Sequence, residues 1–225
     1  MTINEAIACR HMVRQYTDRK LPEDILEQLT ARIQANNERY GLSMSLVAEN
    51  TEAFSPVIKL ILAKGVRNYV VLAGKDEKDT GRKLGYCGAD VMLFAQTLGL
   101  NTWWVGGTFS RKGVKKHAAA DAGRIDGVIA VGYGATQGVP HKSKRPEEIS
   151  HYAGTPPEWF VKGVEAVLLA PTALNKQAFH VEGDGVRVSM TCDNGIFSHT
   201  DLGIGMYHFE SGAGKEHFQR VEGGV

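Results

Sequence analysis

Cysteine is scarce in this chain. There are three in 225 residues, Cys9, Cys87 and Cys192, far apart and without a C-x-x-C pair. So few, at such spacing, exclude a disulfide framework and fit free thiols in a reducing compartment. Excess charge is missing too: 26 Lys and Arg against 25 Asp and Glu leave a net charge of +1. That balance gives no basis for a nucleic-acid or membrane partner of the whole molecule. Long apolar runs are absent. The longest, Val57 to Val66, is broken by Lys59 and Lys64 and is too short to span a bilayer. The N-terminal stretch carries Glu5, Arg10 and Arg14 where a secretory signal would be apolar. Together these absences predict a cytoplasmic protein.

Several chemistry-bearing patterns are also missing. The eight histidines form no H-x-x-x-H and no metal-like cluster with cysteine, so no metal site is predicted. There is no G-x-S-x-G. Gly132-Tyr-Gly-Ala-Thr-Gln-Gly138 lacks the dinucleotide-binding register, and a proline-rich stretch follows it in place of a helix. Ser211-Gly-Ala-Gly-Lys-Glu216 ends in glutamate where a phosphate loop needs Ser or Thr. What is present is an ordinary globular composition, 43% apolar and 23% charged, long enough to bury a full core.

Read in order, Thr2 and Glu5 stand at capping-box spacing before a first helix. Leu21-Pro-Glu-Asp opens a second, with Ile25, Leu26, Leu29 and Ile33 at helical spacing and Asn36-Asn37 as its expected end. Leu42 to Ala48 predicts a short strand, and Asn68 to Ala73 a fully buried one. Gly85 to Leu98 predicts a buried helix closed by Gly99. Asn101 to Val105 and Ile125 to Tyr133 predict further strands. Residues 138–157 hold four of the seven prolines and the basic run His141-Lys-Ser-Lys-Arg145, which predicts an extended surface connector. A helix from Thr155, a strand over Val186 to Met190 and a helix from Phe197 then repeat the earlier order, and Asp201 echoes Asp90. The pattern predicts one domain over 1–225 with an internal duplication, 1–137 and 155–225, joined by connector 138–154.

Three stretches carry candidate chemistry. Arg10, His11 and Arg14 stand at i, i+1 and i+4; Arg10 and Arg14 would share a helical face or flank one turn, so that both guanidinium groups could meet one anion, and arginine suits bidentate phosphate binding. The alternative is a solvated basic face. Gly106 and Gly107 follow a predicted strand, where glycines let backbone N–H groups approach a ligand; the alternative is a plain turn. In Ala170 to Val181, Pro171 ends a helix and Thr172 can cap a new turn. Asn175 and Gln177 each offer a donor and an acceptor, suited to a heterocycle whose edge alternates N–H and C=O. Its alternative is a capped turn between helix and strand.

Together Arg10-His-Met-Val-Arg-Gln-Tyr16, Gly99 to Gly107, Lys142-Ser-Lys-Arg-Pro146 and Ala170-Pro-Thr-Ala-Leu-Asn-Lys-Gln177 resemble the FMN-dependent nitroreductase family. The late position of the Pro171 motif resembles its single-chain, pseudo-dimeric subgroup. The resemblance implies an α+β fold with a central, mainly antiparallel sheet flanked by helices. It implies a monomer built like a dimer, further association being open, with one FMN per chain. Hydride from NADH or NADPH would pass through flavin N5 to a small electron-poor acceptor such as a nitroaromatic or quinone. Arg10, His11 and Arg14, helped by Lys142, Lys144 or Arg145, would grip the phosphate. Pro171, Thr172, Asn175 and Gln177 would lie along the isoalloxazine, and Gly106 and Gly107 would bring an N–H near N5. No side chain is implied as acid, base or nucleophile. Met12 stands where the family usually has serine, and Ala178-Phe179 replaces the usual proline-tryptophan. Two other classes stay open: a flavin carrier or sensor without turnover, and a basic arm that binds an unrelated phosphate ligand or nucleic acid.

Overall fold

Seven consecutive buried residues form β2, Asn68–Gly74, the strand around which the first sheet is built. Antiparallel neighbours complete the order β1-β2-β4-β3, with β1 at Ser45–Val47, β3 at Asn101–Val105 and β4 at Arg124–Gly132. Both faces are covered, which is why β2 reads as apolar throughout instead of alternating. Tyr69, Val71 and Ala73 pack with Trp103, Val105, Val128 and Ala130 on one face. Val70, Leu72 and Ile129 meet Leu84, Cys87, Val91 and Met92 of α4, Thr80–Thr97, on the other. This structure, a computed structural model, describes residues 1–120 and 122–221.

The predicted capping box at Thr2 and Glu5 is present and opens α1, Ile3–Cys9. The second helix, α2 (Glu23–Tyr40), outlasts its predicted end and stops at Gly41 in the left-handed region. Asn36 and Asn37 do not break it because their amides are used elsewhere. Asn36 donates to Asp90, and Asn37 exchanges two hydrogen bonds with the Met44 backbone. Short helices α3 (Pro56–Ile61) and α5 (Arg111–Lys115) fill connections for which no helix was predicted.

The later part of the chain supplies α6 (Glu158–Leu168) and α7 (Ser198–Ala213) and a sheet of its own. Its order is β5-β6-β7-β8, with β5 at Ser150–Tyr152, β6 at Phe179–Asp184, β7 at Arg187–Cys192 and β8 at Gln219–Arg220. Strand β6 alternates cleanly, with Phe179, Val181 and Gly183 inward, as a sheet covered on one face requires. The α+β class and the antiparallel central sheet are therefore as expected, and among the described residues a second four-stranded sheet accompanies it. Among the described residues no helix is long and apolar enough to cross a membrane.

Helices α4 and α7 hold the two parts together. A Cβ on Gly85 would fall on the Thr200 carbonyl and close to Gly203, while a Cβ on Gly203 would fall on the Arg82 carbonyl and the Tyr86 nitrogen. The contacts are reciprocal, so Gly85 and Gly203 occupy matching places at the crossing. Asp90 lies five residues after Gly85, whereas Asp201 lies two before Gly203. The two aspartates therefore sit at different heights relative to the crossing, and His208 stands at the same spacing from Gly203 as Asp90 from Gly85.

Gly85→Ala or Gly203→Ala should each destabilise the protein by about 1–3 kcal/mol despite alanine's better helix propensity, read from the urea midpoint. Gly195→Ala, whose added Cβ meets nothing within 4 Å, is the control. An unchanged midpoint for Gly85→Ala would mean that the helix backbones do not touch.

Candidate functional site

The arginine arm corrects the expectation that Arg10 and Arg14 share a helical face or flank a turn. Residues 10–16 run extended alongside the first sheet. Arg10 caps α1 with extended backbone, its N–H donating to Ala6 O at 2.9 Å. Met12 forms a parallel bridge with Thr102, and the Val13 N–H donates to Thr102 O at 3.2 Å. The Tyr16 N–H donates to Lys64 O at 2.9 Å, and Tyr16 bridges Gly134. These partners are distant in sequence, so local spacing could not reveal them.

The two arginines consequently differ. Arg14 is exposed, and its guanidinium lies 5.3 Å from the Trp103 ring centroid, at cation–π distance. Trp103 in turn stacks on Phe54. Arg10 is only 5% exposed, and its Nε has no hydrogen-bond partner. Burial pulls its guanidinium down to about 10, and no carboxylate contributes to hold it up. A buried, unpaired cation costs several kcal/mol. Beside it, His11 is half-buried and held below the usual imidazole range, first by burial and then by the charges of Arg10 and His141.

The connector passes over this arm: a Cβ on Gly138 would meet the His11 side chain and Met12 O. It is also stitched to the loop that follows α6. The Asn175 amide donates to Lys142 O at 2.7 Å, and Lys144 Nζ donates to Gln177 O at 2.9 Å. The arm, Lys142, Lys144 and the loop from Pro171 to Gln177 thus converge, although they are far apart in sequence. Arg145 does not join them. Its side chain, 73% exposed, pairs with Glu147 and Glu148.

Gln177 also departs from its expected role along a ligand ring. It is buried, and its amide donates to Leu168 O at 2.7 Å and contacts His141 Nε2 at 3.0 Å, while its Oε1 accepts the Lys144 N–H at 2.7 Å. The side chain is spent as a strut between connector and loop. Pro171 and Thr172 are half-buried, and Asn175 is exposed. Thr172 accepts the Gln177 N–H at 3.1 Å, and Leu174, Asn175 and Gln177 all take positive φ. Left-handed backbone at non-glycine residues is strain of the kind that gathers at binding sites. Phe179 is core, so only Ala178 of the altered pair lies at the loop.

Gly106 and Gly107 lie just past the far end of β3 from Thr102. A Cβ on Gly106 would strike the Phe197 ring, whereas one on Gly107 would meet nothing within 4 Å, so the second glycine faces open space. Phe197 precedes α7, whose first turn carries Asp201. Both Asp201 oxygens accept the Ala173 N–H, at 3.1 and 3.2 Å. Burial pushes this carboxyl up to about 6, against the lowering pull of that N–H and Lys176. Asp201, His141 and His208 are site residues that sequence reasoning missed. Only His141, next to the basic run, had a local signal. The hollow of about 490 Å³ along α2, lined by Glu23, Leu26 and Gln34 among others, includes none of the candidate residues.

Residues 2–213 match the model of a family described as "Putative TM nitroreductase". Among solved structures, the chain is similar to a "putative nitroreductase" from Thermotoga maritima, with 22% identity and a TM-score of 0.69 over 93% of this chain and 82% of that one. It is also similar to a "Putative NADH dehydrogenase/NAD(P)H nitroreductase" from Bacteroides thetaiotaomicron, with 16% identity and a TM-score of 0.53 over 66% of this chain and 96% of that one. A third is a "putative nitroreductase in complex with fmn" from Desulfovibrio desulfuricans, with 13% identity and a TM-score of 0.50 over 66% of this chain and 95% of that one. At these identities the structures share the fold. No curated protein matches the sequence.

Asp201 gives the site a testable pH signature. Its folded pKa lies above the ordinary value, so its contribution to stability is full in acid and is lost as pH rises from about 4 through about 6. Asp201→Asn keeps an acceptor for Ala173 and removes the buried charge. The variant should lose that slope, worth on the order of 2–3 kcal/mol, and match or exceed the parent at neutral pH in urea unfolding. An unchanged slope would show that Asp201 is not the group responsible.

Proposed function

The chain belongs to the family described as "Putative TM nitroreductase", matched over residues 2–213, and on that premise we propose that it is an FMN-dependent NAD(P)H oxidoreductase acting on a small electron-poor acceptor. The observation that carries this reading is Arg10, a buried guanidinium with no acid partner at the convergence of arm, connector and loop. Such a group calls for an anion from outside the chain, and a phosphate monoester supplies one.

When bound, FMN supplies hydride exchange between a nicotinamide and the acceptor. The chain would provide position and electrostatics. Arg10, His11 and Arg14 would hold the phosphate, with Lys142 and Lys144 adding charge from the connector. Arg145 is left out, because its acids already engage it. Pro171, Thr172 and Asn175 would line the ring, and Asp201 would hold that loop through Ala173. Gly106 and Gly107 would bring backbone N–H groups to the ring edge. Gln177 would brace the connector. No side chain acts as acid, base or nucleophile in this reading. Orientation and hydrogen bonding to the ring carry the protein's share of catalysis. The two parts of the chain would act as two subunits do, the first giving the arm and the second the loop, with one FMN per chain.

The test is a visible absorption scan of protein loaded with FMN, desalted and kept anaerobic. The flavin band should persist through desalting, bleach with NADH or NADPH, and return on adding a nitroaromatic or quinone. A retained band that neither nucleotide bleaches would favour a carrier or sensor. Protein that retains no flavin would overturn the cofactor assignment.

A further inference from the structure

Four buried side-chain atoms have no hydrogen-bond partner among the described residues: Arg10 Nε, Gln96 Oε1, Thr102 Oγ1 and His208 Nε2. They come from four separate stretches of chain, yet each is tied to the arm. Gln96 reaches Cys9, next to Arg10, and Thr102 is bridged to Met12. His208 lies on α7, which packs against α1 immediately before Arg10. Buried polar atoms normally find partners, so four orphans around one segment mark a place meant to be completed from outside.

The histidines define what would complete it. His208 is 1% exposed on α7, and its Nδ1 contacts Ile204 O at 2.8 Å. A carbonyl can only accept, so Nδ1 carries the hydrogen and Nε2 is left with a lone pair. That nitrogen can donate to an anion only if the ring gains a second proton. Burial first, and then Arg10 and His141, hold the ring neutral, at about 3. His11 is held down by the same three influences. The charged groups around them are Arg10 from the arm and His141 from the connector, with the Cys9 thiol at the end of α1. The α4 carboxylate, Asp90, is engaged by Arg32, Asn36 and Tyr207, and Glu210 on α7 by Tyr86, Lys215 and Arg220. Among the described residues no carboxylate contributes at Arg10, His11 or His208. Among the described residues no three His, Cys, Asp or Glu side chains are placed to hold a metal ion, so the imidazoles do not form a cation site.

We infer that His208, from the second part of the chain, joins Arg10, His11 and His141 in an anion seat that takes up a proton when a phosphate group enters, with His208 as the acceptor of that proton. The identity of the ligand as FMN rests on the reading above. The entering dianion offsets the Arg10 and His141 charges that add to burial in keeping the imidazole neutral, and the new Nε2–H then has an acceptor. Retention of the ligand is therefore tighter in acid and weaker in base.

Calorimetric titration of the flavin-free protein with FMN, in two phosphate-free buffers of different ionisation enthalpy, reads the proton count directly. At about pH 7.5 the FMN phosphate is already a dianion, so uptake of about one proton per FMN would come from the protein. Affinity should fall by up to about tenfold per pH unit between about pH 7 and pH 8.5. Riboflavin, which lacks the phosphate, should bind without uptake. His208→Gln should abolish most of the uptake, while His151→Gln, exposed on β5 and outside the seat, should keep it. No uptake by the parent protein would overturn the inference even if His208→Gln fails to fold. Full uptake in His208→Gln would overturn the assignment to His208. If FMN does not bind at all but inorganic phosphate binds with uptake, the seat stands and the FMN reading falls. If neither binds, both fall.

Discussion

Backbone contact between α4 and α7 is the constraint on which the rest depends. Glycine at Gly85 and Gly203 lets the two helices meet carbonyl to Cα, closer than any side chain would permit. At that distance α7 can carry His208 into range of the Arg10 charge and Asp201 to the loop after α6. The first sheet rests on α4 from one side, and α6 packs on α7 from the other. The groups that α7 brings to the candidate site, His208 and Asp201, are thus positioned by a crossing that contains no chemistry of its own.

Around that crossing some charges are matched and one cation is not. Asp90 is engaged by Arg32, Asn36 and Tyr207, and Asp126 is paired with Arg124. Arg10 is buried without an opposite charge, close to imidazoles that burial keeps neutral. The balance of the whole chain, a net +1, hides this local imbalance. An excess of one charge that a folded protein tolerates in its interior is a stability cost tied to binding.

Much of this was legible in the residues. The apolar run of β2, the capping box at Thr2 and the helix stop before Pro171 follow from local rules, and they fall where predicted. Membership of the nitroreductase family, read from four dispersed motifs, is what the match over residues 2–213 shows. What failed was local inference about non-local partners. Residues 10–16 look helical by spacing, but hydrogen bonds to Thr102 and Lys64 draw them out straight. Asn36 and Asn37 look like a helix end until Asp90 and Met44 take their amides. Gln177 looks like a ligand group, and Leu168, His141 and Lys144 consume it. His208 gave no signal, because a lone histidine in an apolar helix looks like core.

The central claim is that Arg10 is kept in the fold for an external anion and not for stability. The most direct measurement compares urea unfolding of flavin-free protein with and without Arg10→Met, alongside FMN affinity by flavin fluorescence. The account predicts a flavin-free variant as stable as the parent or more so, by up to about 4 kcal/mol, since an apolar side chain replaces an unpaired buried charge. FMN affinity should fall by about 10- to 100-fold, the loss of a charge-assisted contact. A destabilised variant that keeps FMN as tightly as the parent would contradict the account, because Arg10 would then be a structural residue.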